Sequence, residues 1–311
     1  MLYLTEDDVR RFLPIRECIA LMREAFQRLS TGAAINQPRR RLILPTRSVL
    51  HYMAGSDGRY FGAKIYASNP RRGAHFLFLL YRADDGEPLA ILEANHLGQI
   101  RTGAASGLAT QLLARPDSRV ATVIGSGFQA RTQAEALAAA VPIERILVWS
   151  RSPEKRARFV EECRLTIPVE AAASAEDATR RADILTTATN SAEPVVESTW
   201  VAPGAHVNAM GSNQAQRREI PAELVKRARL IAVDSREQSR IESGDLILSL
   251  SEEDWSRTVE LQDVIAGRAR RERTDEITLF KSNGLAVEDV ITAGYVYERA
   301  VAEGAGRTVY S

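Results

Sequence analysis

The stretch that decides the fold is residues 119–130, RVATVIGSGFQA. It begins as an apolar run typical of a buried strand, and an alanine-rich helical pattern follows it directly. Between the two, Gly125 permits a tight turn, Gly127 allows the backbone to approach a pyrophosphate, and Ala130 keeps helix and strand close. This context predicts a dinucleotide site with the pyrophosphate at the helix N-terminus, and a glycine turn that binds nothing fits it less well.

The sequence after this loop continues to alternate apolar runs with helical patterns of about 10 to 15 residues. The runs RILVWS, ADILTTAT, HVNAMG, RLIAVDS and ITLFKS are continuous, as expected of parallel strands that are covered on both faces. We therefore predict an α/β fold with a Rossmann-type doubly wound domain. The proline-containing break at Arg115–Ser118 places this domain at residues 116–284.

The sequence before the loop has a different texture. An amphipathic helix is predicted from Pro14 to Gly32, and short β-rich runs separated by turn residues follow it, as in an antiparallel meander. GLAVEDVITAGYVYERAVAEG, near the end of the chain, indicates a final helix that packs on this first part. Residues 1–115 and 285–311 are therefore expected to form a second, α+β domain.

Composition excludes several classes of protein. Among 311 residues, 41 Lys and Arg balance 40 Asp and Glu, so no bulk field favours nucleic acid or an anionic membrane. No stretch approaches the ~20 apolar residues of a membrane span, and the four histidines have no metal-ligand spacing. Two distant cysteines and an acidic N-terminus without the apolar core of a signal peptide favour a reducing, cytoplasmic location.

The residues after RILVWS bear on the choice of cofactor. An NAD-specific site usually has an acid here for the ribose 2′-hydroxyl, but this sequence has Arg151 between Ser150 and Ser152. Those side chains suit a 2′-phosphate, so we predict that NADP(H) is preferred and that NAD(H) remains possible. Ser152–Pro153–Glu154 is also a sound helix start, and both interpretations can hold together.

Three basic residues of the first domain are candidates for binding a small carboxylate: Arg40, Lys64 and Arg101. Lys64 stands between Ala63 and Ile65 in an apolar strand that contains no acid, so a buried ammonium there would need an anionic partner. We expect the substrate carboxylate to be that partner. For Arg40 the prediction competes with a simple solvent-facing position, because it is the middle of three consecutive arginines.

Several segments together resemble the ornithine cyclodeaminase/mu-crystallin family. They are QPRRR, GAKIY, GQIRTGAASGLAT, VIGSGFQA, VWSRSPEKRA, HVNAMGSNQAQRREI, AVDSREQSRIESGDL and TLFKSNGLAVEDV. They span nearly the whole chain in the order of the family, and IRTGAAS and FKSNGLAVED are more specific than the glycine loop. The resemblance implies a homodimer in which the N-terminal strands form the substrate-binding and dimerisation domain and a Rossmann domain binds NAD(P).

The resemblance also implies roles for particular residues. Arg40, Lys64 and Arg101 would hold the substrate carboxylate, and Lys64, Arg101 and Asn213 would form the catalytic set. Ten residues would bind the cofactor: Thr102, Gly125, Gly127, Gln129, Ala130, Arg151, Ser152, Thr189, Met210 and Ser282.

One position departs from the pattern of the ornithine-converting members, which carry an Asp in the motif that reads GSNQAQRREI here. Asn213 can orient an amine or imine but cannot accept its proton, unless it is simply a turn residue. The sequence therefore favours an NADP(H)-dependent reductase of imines of small amino or keto acids, with Lys64 or a bound water as proton donor. The alternatives are an ornithine cyclodeaminase, which releases ammonia and recycles its cofactor, and a binding protein that retains the cofactor site.

Overall fold

The computed structural model describes residues 1–309 and divides into two compact units. Unit 1 comprises Met1–Arg101 and the described residues from Gly284 onward, and unit 2 is Thr102–Asn283. Each unit contains its own eight-stranded sheet. The predicted class, an α/β fold with a Rossmann-type domain and an α+β domain, is confirmed.

The units divide at different residues from those expected. The sequence placed the first boundary after residue 115, but the division lies at 101/102, inside the helix Asn95–Leu113. The helix belongs to unit 2 from Thr102 onward because it packs closely there: a Cβ at Gly103 would lie 2.5 Å from the carbonyl oxygen of Thr132. The second division lies at 283/284, and residues 310 and 311 of the expected first domain are outside the described residues.

Unit 1 is built on a meander, as predicted. Its elements are β1 (Leu2–Leu4), α1 (Glu6–Phe12), α2 (Ile15–Thr31), β2 (Ile35–Asn36), β3 (Arg40–Ile43), β4 (Val49–Ser56), β5 (Tyr60–Asn69), β6 (Gly73–Arg82), β7 (Pro88–Glu93), the start of α3 (Asn95–Leu113), α11 (Ala286–Ala302) and β16 (Arg307–Thr308). Strands β3 to β7 pair antiparallel in sequence order. The sequence did not predict β1, which lies parallel to β7 and antiparallel to β16.

The two faces of the unit 1 sheet differ. Helix α11 packs against β4 and β5 on the face that carries Met53, Lys64 and Phe78, all of which are buried. The other face carries large apolar side chains that are exposed, among them Leu42, Leu50, Tyr52 and Leu77. Because side chains alternate along a strand, neighbouring residues of β3, β4 and β5 lie on opposite faces.

Unit 2 is a parallel sheet with helices between its strands. In chain order its elements after α3 are β8 (Val120–Ile124), α4 (Phe128–Ala140), β9 (Arg145–Trp149), α5 (Pro153–Glu162), β10 (Val169–Ala171), α6 (Ala175–Arg180), β11 (Ile184–Thr187), β12 (His206–Ala209), α7 (Ala222–Arg227), β13 (Leu230–Val233), α8 (Arg236–Glu242), α9 (Gly244–Ile247), β14 (Thr258–Glu260), α10 (Leu261–Ile265) and β15 (Thr278–Lys281). The strand order is β10-β9-β8-β11-β12-β15-β13-β14, and the order reverses beside β8. A search of residues 1–309 finds no helix long and apolar enough to cross a membrane.

Candidate functional site

A cleft of about 550 Å³ opens in unit 2 at the carboxyl ends of β8, β9 and β11. This is where the strand order reverses, which is the usual position of a ligand in an open α/β sheet. The lining residues are 124–129, 149–152, Lys155, 188–191, Val195 and Gly211.

The glycine loop fits a dinucleotide. Gly125 has φ +129°, in the region that favours glycine, and a Cβ there would lie 2.4 Å from the carbonyl oxygen of Ala188. At Gly127, which immediately precedes α4, a Cβ would meet nothing within 4 Å, so open space lies over the backbone at the start of the helix. Ala130 is fully buried in the first turn. A pyrophosphate would therefore meet the first N–H groups of α4 and the positive end of its helix dipole at this loop.

The residues after β9 place two cations in the cleft. Arg151, which was predicted to bind the cofactor, lines the cleft. Lys155 lines it as well and was not predicted. Ser152 has a structural role as well, because its hydroxyl accepts a hydrogen bond from the Lys155 N–H at 3.2 Å and donates one to Glu154 at 2.7 Å. Ser152 thus begins helix α5, as the alternative interpretation of this loop expected.

Not all of the predicted cofactor residues line the cleft. Gln129 and Thr189 do, but Thr102, Met210 and Ser282 do not. The Ser282 hydroxyl donates to Asp234 at 3.0 Å and is buried. The candidate catalytic residue Asn213 is partly buried in the loop after β12. The roles of these residues remain predictions.

A buried cluster of ionisable residues in unit 2 was not predicted. Glu219, Asp245 and Lys281 lie behind the cleft and have no solvent exposure. A signal was available in the sequence, because a Glu, an Asp and a Lys stand beside apolar runs in RREI, SGDL and TLFKS. Their spacing does not predict that the three side chains are in contact, because they belong to three separate segments of the chain.

In unit 1, Lys64 and Arg101 come together on two carboxylates. Lys64 Nζ lies 2.6 Å from one carboxylate oxygen of Asp289, and Arg101 Nε lies 3.0 Å from the other. Arg101 also donates to Glu288 at 2.8 Å. Only 2% of Lys64 and 5% of Arg101 are exposed, and both acids are fully buried. Both acids belong to the first turn of α11.

This arrangement overturns one argument from the sequence. We expected the buried Lys64 to require the carboxylate of a substrate, but Asp289, 225 residues further along the chain, is already its partner. The requirement that a buried ammonium be paired is met, and it is met inside the protein. The partner could not be recognised from the strand alone because it comes from the final helix.

Protonation in this cluster follows from burial and charge. Burial, together with the charge of Arg101, lowers the pKa of Lys64 to about 7, and Asp289 opposes that shift. Burial by itself would raise the pKa of Asp289, but the charges of Arg101 and Lys64 outweigh it and hold that pKa below its usual value. Asp289 is therefore ionised at neutral pH, whereas Lys64 gains and loses its proton there.

Arg40 does not lie with Lys64 in this cluster. In the sheet register, Arg40 pairs with Tyr52, and Tyr52 pairs with Ile65, so Arg40 lies on the face opposite to Lys64. Arg40 is exposed, whereas its neighbour Arg39 is only 5% exposed. The charge of Arg39 also contributes to lowering the pKa of Lys64, so Arg39 is the arginine of this segment that lies near the cluster.

The fold and the cleft together define an oxidoreductase that uses a nicotinamide dinucleotide. The chain belongs to the ornithine cyclodeaminase/mu-crystallin family, whose model matches residues 1–304, and the predicted resemblance is confirmed.

Three relatives cover almost the entire chain. A Delta(1)-pyrroline-2-carboxylate reductase from Bacillus cereus is 34% identical over 99% of both chains. The structure of the Thermococcus litoralis enzyme of the same name, in complex with NADH and L-proline, is 37% identical with a TM-score of 0.94 and covers 99% of this chain and 100% of that one. An archaeal alanine dehydrogenase dimer with bound NAD is 32% identical with a TM-score of 0.93 and covers 100% and 99% of the two chains.

Proposed function

We propose that this chain reduces the C=N bond of an imine derived from a small amino or keto acid, with a cyclic imino acid such as pyrroline-2-carboxylate as the first candidate. The observation that carries the proposal is the buried cluster of unit 1. Lys64 and Arg101 contact Asp289 and Glu288, and the charge of Arg39 acts on Lys64, so these five side chains have one more positive than negative charge when all are ionised. One carboxylate of a substrate would balance that excess.

In this proposal the arginines bind the substrate and Lys64 transfers a proton. When bound, NAD(P)H supplies the hydride that reduces the imine carbon. Arg101, with Arg39 in place of Arg40, holds the carboxylate of the substrate. Lys64 delivers the proton that the reduced nitrogen needs, and a pKa near 7 suits a general acid at neutral pH. Asn213 donates or accepts a hydrogen bond at that nitrogen and orients it.

The deciding experiment follows the cofactor and ammonia together. Pyrroline-2-carboxylate, and keto acids mixed with amines, are supplied with NADPH or NADH, and the loss of absorbance of the reduced nicotinamide is recorded. We expect one cofactor oxidised for each imine reduced. Ornithine is supplied in parallel with NAD(P)⁺, and ammonia is measured. Efficient release of ammonia without net change of the cofactor would contradict the proposal and support an ornithine cyclodeaminase.

The preference for NADP(H) rests on Arg151. Replacing Arg151 with alanine should weaken NADPH binding by about tenfold to a hundredfold, the range for a charged hydrogen bond, and should leave NADH binding almost unchanged. Fluorescence titration with each reduced cofactor measures both affinities. The matched control is Arg158→Ala, which removes an exposed arginine of α5, the helix that follows Arg151; Arg158 pairs with Glu162. An equal loss for NADPH and NADH would refute the preference.

The dimer is proposed from the uncovered face of the unit 1 sheet. Leu42, Leu50, Tyr52 and Leu77 are each at least 39% exposed on this face, and burying such side chains is a main driving force of association. We expect a second copy of the chain to cover them. Leu77→Glu should convert the dimer to a monomer in light scattering, whereas Ile241→Glu, at an exposed apolar residue of unit 2, should not. A wild-type chain that scatters as a monomer at micromolar concentration would contradict the interface.

A further inference from the structure

Glu219, in the loop between β12 and α7, joins several segments of the cofactor cleft. One oxygen of its carboxylate accepts the N–H of Thr189 at 2.6 Å. The other accepts the N–H of Gly211 at 2.5 Å and the hydroxyl of Thr187 at 3.1 Å. The carbonyl of Glu219 also accepts the N–H of Val195 at 2.8 Å. Thr189, Gly211 and Val195 all line the cleft, so one residue is bonded to three points of its wall.

Two further buried ions hold Glu219 in place. The carboxylate of Asp245 accepts the N–H groups of Glu219 at 2.6 Å and of Ile220 at 3.1 Å. Lys281 Nζ lies 3.0 Å from the second oxygen of Asp245 and donates to the carbonyl of Ser212 at 2.5 Å. Lys281 is the last residue of β15, which lies next to β12. The carboxyl ends of β11, β12 and β15 are therefore connected through this cluster.

The chemistry at this position requires a carboxylate. Three donors point at the two oxygens of Glu219, and only an ionised carboxyl group accepts from all of them without presenting a donor of its own. Burial and the charge of the neighbouring Asp245 raise the pKa of Glu219. The hydrogen bonds from Thr189 and the charge of Lys281 offset only part of this rise. Only a glycine at position 211 leaves room for this carboxylate, because a Cβ there would lie 2.5 Å from a Glu219 oxygen.

The strand order tells which part of the cofactor these loops would meet. In a Rossmann domain each half of the sheet binds one mononucleotide, and the loop after the second strand recognises the ribose that carries the 2′-phosphate of NADP. Here that loop follows β9 and contains Arg151, on one side of β8. Strands β11 and β12 lie on the other side of β8, so Glu219 is bonded to the loops of the nicotinamide half.

We propose that Glu219 is a positioning residue that fixes the two loops of the nicotinamide half of the cleft, so that the reactive ring is held while the adenosine half binds independently of it. The proposal rests on the proposed function only in requiring that the cleft bind a nicotinamide dinucleotide. Glu219 does not line the cleft and acts through Thr189, Gly211 and Val195.

The test compares a whole cofactor with its adenosine half. Glu219→Gln keeps the shape of the side chain but turns an amide N–H₂ toward the donors. We expect the Kd for NADH to rise at least about tenfold, the Kd for ADP-ribose to stay within about twofold, and kcat to fall more than the KM for the imine rises. Thr187→Val, which removes one donor and no charge, should show the same selectivity with a smaller effect, and it decides the matter if Glu219→Gln does not fold.

Asp183→Asn is the matched control. Asp183 accepts the N–H groups of Arg119 at 2.8 Å and Val120 at 3.0 Å at the opposite, amino end of β8, so it too holds backbone without touching the cleft. We expect this variant to unfold at lower denaturant concentration with an unchanged ratio of the two affinities. Equal losses for NADH and ADP-ribose in Glu219→Gln, or no loss for either, would overturn the proposal. A wild-type protein that binds neither of these molecules, and does not bind NADPH either, would overturn this proposal together with the proposed function.

Discussion

Replacing Arg101 with leucine should abolish the reduction of carboxylate-bearing substrates and should also lower the free energy of unfolding by about 3 to 5 kcal/mol. Arg101 is bonded to Glu288 and Asp289, and both acids are fully buried. Removing the guanidinium takes a buried cation away from both Glu288 and Asp289. The loss of stability is measured by urea unfolding, and the loss of activity by oxidation of the reduced cofactor.

A second variant separates the two effects. Combining Arg101→Leu with Glu288→Gln removes one positive and one negative charge and leaves Lys64 paired with Asp289. We expect this double variant to regain much of the stability, because both members of the buried Arg101–Glu288 ion pair are then replaced by uncharged side chains. It should remain inactive, because no guanidinium is left at this position to hold the carboxylate. Recovery of activity together with stability would show that Arg101 is needed only for folding.

The sequence predicts the Rossmann unit well because the information there is local. The run VATVI, the glycine loop and the helix after it are contiguous, and each has a pattern of its own. In unit 1 the meander and the final helix are visible for the same reason. Strand β1 is not, because three residues carry no periodicity and its pairing with β7 joins segments almost ninety residues apart.

The candidate site was predicted less completely, because its contacts are not local. Among three consecutive arginines, only the register of β3 against β4 shows that Arg40 lies on the face opposite to Lys64, and only burial distinguishes Arg39. The partner of Lys64 comes from α11, and no spacing rule connects a strand to a helix 225 residues away. Glu219 is similar, since its importance comes from the N–H groups that it accepts and not from its neighbours in sequence.

Replacing Lys64 with methionine should lower the rate of imine reduction by about a hundredfold to ten-thousandfold, the usual contribution of a general acid. Methionine fills a similar volume and leaves Asp289 paired with Arg101, so the chain should still fold. Initial rates at saturating substrate measure the effect. Lys226→Met, at an exposed lysine of α7, is the control and should keep full activity.

The pH dependence distinguishes a proton donor from a residue that only balances charge. Lys64 has a pKa of about 7 in the folded chain against an ordinary value of 10.5, so the unfolded chain binds more protons between these values. The free energy of unfolding of the wild type should therefore rise with pH across this window, relative to Lys64→Met. The rate should move the opposite way, falling about tenfold per unit above pH 7 as the ammonium is lost, and Lys64→Met should lack that decline. If stability rises as expected but the rate of the wild type does not fall, Lys64 titrates without donating the proton, and a bound water takes over that step.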